Sequence, residues 1–277
     1  MISITGLFIY PVKSLRGHAV PAAEFDSLGF VGDRRFLVVD ATGKFLTQRT
    51  VPRMALVDAT LSANDLVLSA DGAAQVSVSR AGDATASSRT VSVWKSEGLV
   101  AEDCGDATSA WLSDFLGLKC HLVRIGERYS RPMLKDSAHP SDFVSFTDAY
   151  PFLVISQASL DHLNNRIQEN HGEPVPMNRF RPSLVVDGCD AFAEDAWTQV
   201  RIGDAVFRNG GPCARCIVTT TDQLTGERSG KEPLKTLATF RRDKDDPSDV
   251  NFGTNLIHET KRGRMQVGDA VVPVNFS

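Results

Sequence analysis

Short runs in which apolar or β-branched residues alternate with polar ones recur along the whole chain. Glycine, aspartate and proline separate these runs at short intervals. Such a pattern is typical of antiparallel β-structure, closed or sandwich-like, rather than of a repeating strand–helix–strand unit. The main runs are ISITGLFIY, RRFLVVD, DLVLSA, VSVSR, RTVSVW, SLVVDG, QVRIGDAVF, CIVTTT and MQVGDAVVPV.

Three stretches have the three-and-four spacing of an amphipathic helix instead: 106–118, 156–168 and 232–242. The second begins at Ser156, a good N-cap, and the third ends in basic residues that suit a helix C-terminus. The apolar residues of the three predicted faces are Trp111, Phe115 and Leu116, then Leu160, Leu163 and Ile167, and finally Leu234, Leu237 and Phe240.

A polar, proline-containing stretch, GERYSRPMLKDSAHPSD, predicts a domain boundary after the first helix. We therefore predict a β-rich N-terminal module over residues 1–125 and a mixed unit over residues 126–277. The fold class is α+β, mostly β. The charged stretch RRDKDDPSD at 241–249 is predicted to be a solvated loop.

Composition narrows the kinds of partner. The 277 residues carry a formal net charge of −4 with a pI near 5.9, so the chain has no general attraction to nucleic acid or to anionic membranes. An anionic ligand would need a local cluster of lysine and arginine. The N-terminal residues MISITGLFIYPVK lack a basic segment of the signal-peptide type, and no apolar run approaches the roughly 20 residues of a membrane span.

The five cysteines are an odd number and are scattered, which does not suit a disulfide framework. We therefore expect a reducing, cytoplasmic setting. Cys213 and Cys216 form a C-x-x-C pair in GGPCARCIVTTTD, and three interpretations of this pair have to be compared.

A structural zinc site needs four ligands, and only one pair is present here. A thioredoxin-like redox pair normally begins a helix, whereas Cys216 leads into the β-branched run IVTTT, which predicts a strand. The third interpretation is a single thiolate at the mouth of a strand, beside Arg215 and the threonines at 219–221. For Cys213, a role as a buried small hydrophobe stays open.

Several motifs, in order, cover nearly the whole chain: LFIYPVKSLRG, LGFVGDRRFLVVDATGKFLTQR, PFLVISQASLDHLN, NRFRPSLVVDGCDAFAEDAW, PCARCIVTTTDQLTGERSGKEPLKTL and FGTNLI. Together they resemble the MOSC-domain proteins, in particular their amidoxime-reducing branch. The resemblance implies a β-barrel MOSC domain preceded by a β-rich N-terminal β-barrel module.

Members of this branch bind a molybdenum–pyranopterin (molybdopterin) cofactor through one protein cysteine and reduce N-hydroxylated compounds. By its place in the motif, the resemblance assigns the metal ligand, and with it the catalytic centre, to Cys216. A soft thiolate suits molybdenum. The cofactor would supply the chemistry, while the protein would hold it and shape access to it.

The pterin ends in a phosphate, so the resemblance also implies a basic cluster. Ala149 and Tyr150 stand where mitochondrial relatives have Thr-Ser, so their contact is expected through the backbone, and Asn255 stands where those proteins have a tyrosine. Asp222 and Asp148 are candidate proton relays. The residues implied at the cofactor are Lys13, Ser14, Arg34, Ala149, Tyr150, Arg181, Arg215, Cys216 and Asn255.

Electrons are expected from a separate protein, such as a flavin reductase, a ferredoxin or a cytochrome b5-like carrier. The reason is that no cysteine follows Cys216, so the [2Fe–2S] module of some relatives has no ligands. We expect a small-molecule substrate and neither nucleic acid nor membrane as partner. Two other functions stay open: a cofactor carrier without reductase activity, and sulfur transfer.

Overall fold

A computed structural model describes residues 1–82, 87–228 and 230–274 of the chain. The described residues are mostly strands with few helices, which confirms the predicted fold class. None of the helices in these ranges is long and apolar enough to cross a membrane. The strands are β1 (Ser3–Ile9), β2 (His18–Val20), β3 (Ala22–Asp26), β4 (Gly29–Phe30), β5 (Phe36–Asp40), β6 (Asp58–Leu61), β7 (Asp65–Ala70), β8 (Ala73–Ser79), β9 (Ser88–Val93), β10 (Ser96–Asp103), β11 (Cys120–Arg124), β12 (Phe152–Ser156), β13 (Leu184–Asp187), β14 (Gln199–Ile202), β15 (Ala205–Ala214), β16 (Asn251–His258), β17 (Gly263–Gln266) and β18 (Val271–Val274).

The largest sheet has eight strands in the order β18-β14-β15-β16-β12-β13-β1-β2. Its two sides are joined by backbone hydrogen bonds between β1 and the segment that enters β18. The Ile4 N–H donates to the Asp269 carbonyl, and the Val271 N–H donates to the Ile2 carbonyl, each at 2.9 Å. The sheet is therefore closed at this end, as in a barrel, and apolar side chains from all around it meet in one core.

Three smaller sheets complete the fold: β5-β11-β10-β9, β6-β7-β8 and β17-β3-β4. The first two pack with the first helix around a second core. Two N-terminal strands pair instead with strands from the later part of the chain: β1 pairs with β13, and β3 pairs with β17. The proposed division at residue 125 stays a prediction, and strand pairing crosses it twice.

The first two helices lie where the sequence predicts them. They are α1 (Asp106–Leu116) and α2 (Gln157–Glu169), and the Ser156 hydroxyl caps α2 by accepting from the backbone N–H of Ser159. The predicted buried face of α2 is confirmed. The face of α1 is centred on Leu112 and Leu116, while Trp111 stacks on Phe115 in a half-buried position.

The structure corrects two local predictions. The third helix, α3, covers only Leu234–Leu237 of the predicted 232–242. The run IVTTT after Cys216 is a 3-10 helix, Ile217–Thr220, and not a strand. The Thr219 and Thr220 hydroxyls donate to the carbonyls three residues earlier, at 3.0 and 2.8 Å. This local bonding competes with strand pairing and outweighs the β-propensity of the run.

His258, on β16, lies inside the closed sheet. Its side chain is only 1 % exposed and contacts the rings of Phe25 and Phe152 edge-on. Its Nε2 lies 2.8 Å from the Asp26 carbonyl, whereas no partner for Nδ1 is found in the described residues. Burial first, and the nearby Lys261 second, lower the pKa of His258 to about 4.

This depressed pKa predicts a loss of stability in acid. His258 stays neutral in the folded chain, but the unfolded chain takes up a proton below its ordinary pKa of about 6.5. The free energy of unfolding should therefore fall by up to about 3 kcal/mol between pH 7 and pH 4 through this group alone. Urea unfolding of the wild type and of His258→Gln, compared across this range, measures the contribution. Parallel pH dependence in the two proteins would contradict it.

Candidate functional site

A cavity of about 450 Å³ opens where loops from both parts of the chain meet. Its wall is formed by the segment after β1, the turn before β5, the loops that enter β12 and β13, the end of β15, and part of β16. Seven lysines and arginines line it, against four aspartates. The predicted cofactor residues all lie on its wall: Lys13, Ser14, Arg34, Ala149, Tyr150, Arg181, Arg215, Cys216 and Asn255.

Cys216 is a free, partly exposed cysteine where β15 ends and the 3-10 helix Ile217–Thr220 begins. Its backbone is extended, and its carbonyl accepts hydrogen bonds from the Thr219 N–H and hydroxyl, both at 3.0 Å. The backbone of Cys216 is therefore fixed on this stretch of the cavity wall. Of the threonines at 219–221 only Thr219 bonds to Cys216, at its carbonyl, and none of the three is hydrogen-bonded to the sulfur among the described residues.

Cys213 and Arg215 lie on the same stretch of cavity wall. The Arg215 guanidinium donates to the Cys213 sulfur at 2.9 Å and also to the Phe180 carbonyl. Arg215 is thus engaged with the other cysteine of the pair rather than with Cys216. The two cysteines have different surroundings although they share one cavity.

Arg34 and Arg181 share one aromatic neighbour: both guanidinium groups lie over the Tyr10 ring, each 4.3 Å from its centre. Arg34 is paired with Asp33 at 2.6 Å, but none of the ion pairs among the described residues includes Arg181. Burial lowers the pKa of Arg181 to about 10. An anion in the cavity would relieve this unpaired buried charge.

Lys13 is buried and forms an ion pair with Asp148. Burial lowers the pKa of Lys13 to about 8, and Asp148 opposes this effect. For Asp148, the protein surroundings favour the neutral form, but Lys13 and Arg49 hold its pKa well below the usual range. Because the Asp148 side chain is 59 % exposed, solvent screens part of this interaction.

Three residues of the wall have a left-handed backbone, which is uncommon outside glycine: Ser14 (φ 68°), Arg34 (φ 47°) and Arg181 (φ 55°). Each such conformation costs of order 1–3 kcal/mol and persists only where its surroundings enforce it. Three of the six non-glycine residues with positive φ in the described part of the chain thus belong to the cofactor set that the resemblance implies. The basic side chains are therefore held in place by the fold.

The loop that carries Ala149 and Tyr150 is anchored by a buried arginine, Arg131. Its guanidinium donates to the backbone carbonyls of Ser145, Thr147 and Asp148 at 2.7–3.0 Å. Tyr150 faces Lys135, whose ammonium lies 5.8 Å from its ring centre. The Tyr150 side chain thus takes part in the wall, in addition to any backbone contact of the loop.

Asn255 lines the cavity and braces the strand that leads to Cys216. Its side-chain amide donates to the Gly211 and Pro212 carbonyls at 3.2 and 3.1 Å. Asp222 is placed differently, since it is not among the cavity-lining residues in the described part of the chain. Its carboxylate accepts from Arg179 at 2.9 Å, and its proposed proton-relay role stays a prediction that this geometry does not favour.

Several residues of the cavity wall are not among those predicted from the sequence. Arg49 stands at the end of the motif that finishes in LTQR, and Arg179 lies in the motif that begins NRFRPS. Both motifs are part of the resemblance, so these two arginines could have been predicted from it. Three aspartates come from the stretch predicted to be only a solvated loop: Asp243, Asp246 and Asp249. Arg131 could not have been predicted in this way, because its role depends on backbone carbonyls that only the fold brings near it.

The donors of the cavity fit an anionic, polar cofactor. Thr147 is 5 % exposed and lines the cavity, yet its hydroxyl has no partner among the described residues. The buried Nε atoms of Arg179 and Arg215 are likewise without an acceptor there. No three metal-ligating side chains cluster within the described ranges.

The amino-acid sequence of the chain is also similar to those of known domains and proteins. Residues 1–119 match the model of the MOSC N-terminal beta barrel domain, and residues 142–272 match that of the MOSC domain. Mitochondrial amidoxime-reducing component 1 of Homo sapiens is 35% identical over 97% of this chain and 82% of its own length. The Mus musculus protein of that name is 35% identical over 97% and 81%, and component 2 of Bos taurus is 34% identical over 97% and 82%.

Proposed function

Because this chain belongs to the family of MOSC-domain proteins that includes the mitochondrial amidoxime-reducing components, we propose that it is a molybdenum-cofactor-dependent reductase of N-hydroxylated compounds. The substrate class would be amidoximes and N-hydroxylated bases. The observation that carries the proposal is the meeting of one free thiol, Cys216, with an under-neutralised basic cluster in a single cavity.

The basic cluster would hold the phosphate end of a pyranopterin. Arg181 is the strongest candidate, because it has no carboxylate partner among the described residues and lies half-buried beside Arg34. Lys13 would contribute a point charge, and Ser14 a hydroxyl from the same strained turn. The unpartnered hydroxyl of Thr147 would bind a polar edge of the same ligand.

The Cys216 thiolate would be the protein ligand of the metal, and the extended backbone held by Thr219 would fix its direction. When bound, the molybdenum–pyranopterin group supplies two-electron chemistry at an N–O bond. Arg215 keeps the neighbouring Cys213 occupied by donating to its sulfur. The remaining aspartates and Tyr150 would shape the entrance for substrate.

Reduction of an N-hydroxyl group needs two electrons and two protons for each turnover. We propose that the electrons come from a separate reductase or small carrier, as expected from the sequence. The 243–249 loop, which is mostly exposed, contributes three aspartates to one side of the cavity wall. Substrate and protons would enter from this side.

The proposal is tested on the chain produced in cells that make the pterin cofactor. We expect close to one molybdenum per chain, and reduction of an N-hydroxylated purine to the amine with a viologen as artificial electron donor. Metal analysis and product chromatography measure the two quantities. Bound molybdenum without turnover by any artificial donor would point instead to the carrier function, and absence of molybdenum would reject both.

A further inference from the structure

The Asp148 carboxylate lies at a junction of three donors on the cavity wall. It accepts from the Lys13 ammonium and, at 2.9 Å, from the indole N–H of Trp94. The Arg49 guanidinium lies 3.8 Å from its other oxygen. One exposed carboxylate therefore holds a buried lysine in place and links it to an aromatic side chain from another part of the chain.

Trp94 comes from the turn between β9 and β10, far from the cavity in sequence. It is 45 % exposed and has a left-handed backbone, with φ of 55°. Arg49 lies 4.5 Å from its ring centre, and Phe45 packs edge-on at 5.0 Å. An exposed tryptophan in a strained conformation is thus bonded by its N–H to a cavity residue, and such strain persists only where the surroundings enforce it.

Lys13 needs such support because its charge is buried. Two further cations, Arg34 and Arg131, face it and oppose its protonation, while Asp148 is the carboxylate that favours it. The Phe45 ring lies 5.6 Å from the ammonium and offers only a weak cation–π contact. With the pKa of Lys13 lowered to about 8 even in the presence of Asp148, loss of that carboxylate would lower it further and leave more of the amine neutral at physiological pH.

We propose that Asp148, held in place by the Trp94 N–H, is a positioning residue that keeps the Lys13 ammonium charged and directed along the cavity wall, ready to receive a phosphate. The inference rests on the proposed function in one respect, that a phosphate group enters this cavity. It assigns to the exposed Asp148 a role in ligand binding that is distinct from proton relay, and it assigns to Trp94 a role that acts only through Asp148.

Sulfate binding to the full chain without cofactor tests this assignment. Sulfate has the shape of phosphate but does not titrate near neutral pH, so any pH dependence of binding reports on the protein. Calorimetric titration between pH 6 and pH 10 at constant ionic strength should show affinity falling through a step near pH 8 in the wild type. In Lys13→Met the step should be absent.

Two variants then separate the roles. In Asp148→Asn the step should move down by about one pH unit or more, because the charge partner of Lys13 is lost. In Trp94→Phe, which keeps the ring against Arg49 but removes the N–H donor, the step should move in the same direction by less. Trp111→Phe is the matched control, since Trp111 also donates its N–H, to the Ala74 carbonyl, but lies away from the cavity. Its step should stay at the wild-type pH.

Each outcome decides one question. A step that persists in Lys13→Met, or that stays in place in Asp148→Asn, would overturn the inference. A wild-type chain that takes up molybdenum but shows no step near pH 8 would also overturn it, while leaving the proposed function intact. A step that behaves as described in a chain that never takes up molybdenum would overturn the proposed function and support the role of Asp148.

Discussion

Replacing Cys216 by serine should reduce both molybdenum retention and reductase activity by more than about 100-fold. Changes to residues that merely support a metal ligand cost about 10–100-fold, and here the ligand itself is lost. Serine differs by one atom and keeps the extended backbone at the start of the 3-10 helix, so the cavity should be unchanged. Its hydroxyl is a hard, protonated oxygen at neutral pH and a poor replacement for a soft thiolate.

Metal analysis and turnover of Cys216→Ser should be compared with two other cysteine variants. Cys189→Ser, outside the cavity wall, should behave as the wild type. Cys213→Ser should keep its molybdenum, since the Cys213 sulfur is engaged by Arg215 and is not assigned to the metal. Loss of metal in Cys213→Ser with retention in Cys216→Ser would reverse the assignment of the pair.

The second large effect is expected for Arg181→Met. A charge-assisted hydrogen bond contributes about 1.5–3 kcal/mol, so losing the Arg181 contact to phosphate should weaken cofactor retention by about 10- to 100-fold. The cofactor-free chain should respond in the opposite sense. Because Arg181 is half-buried, lies beside Arg34 and has no carboxylate partner among the described residues, its removal should leave the melting temperature unchanged or higher.

Molybdenum content of the purified chain and the melting temperature of the cofactor-free form measure the two effects of Arg181→Met. Arg166→Met is the matched control, because Arg166 also lies 4.3 Å from an aromatic ring centre, that of Phe240, but away from the cavity. It should leave molybdenum content unchanged. A clear drop in the melting temperature of the cofactor-free Arg181→Met chain, relative to the wild type, would show that Arg181 serves the fold and not the ligand.

The sequence predicts well whatever depends on local chemistry. The N-cap at Ser156 and the apolar face of α2 follow from side chains within one or two helical turns. The run after Cys216 shows the limit of such reasoning, since its β-branched residues predict a strand. Whether threonine hydroxyls bond back to their own chain or leave it to pair with a neighbour depends on the strands available nearby.

The cavity shows the same division. Motif resemblance placed nine residues on its wall, because basic side chains in a shared motif leave a trace in the sequence. Trp94 and Arg131 lie in no motif that predicts a place at the cavity. Each acts through a single loop, Trp94 on the Asp148 carboxylate and Arg131 on backbone carbonyls, and such contacts depend on how separate sheets are placed against each other.

Strand β1 is hydrogen-bonded to residues 268–271, and β3 pairs with β17, so both bond to segments near the other end of the chain. This arrangement has a consequence during synthesis. Ribosomes add about 5–20 residues per second, so β1 leaves the ribosome tens of seconds before the segment at 268–271 that completes its edge. Until then the backbone groups of Ile2 and Ile4 that bond to this segment have no partner, and an exposed strand edge invites association with other chains. The first strand to be made is thus among the last to have all its hydrogen bonds completed.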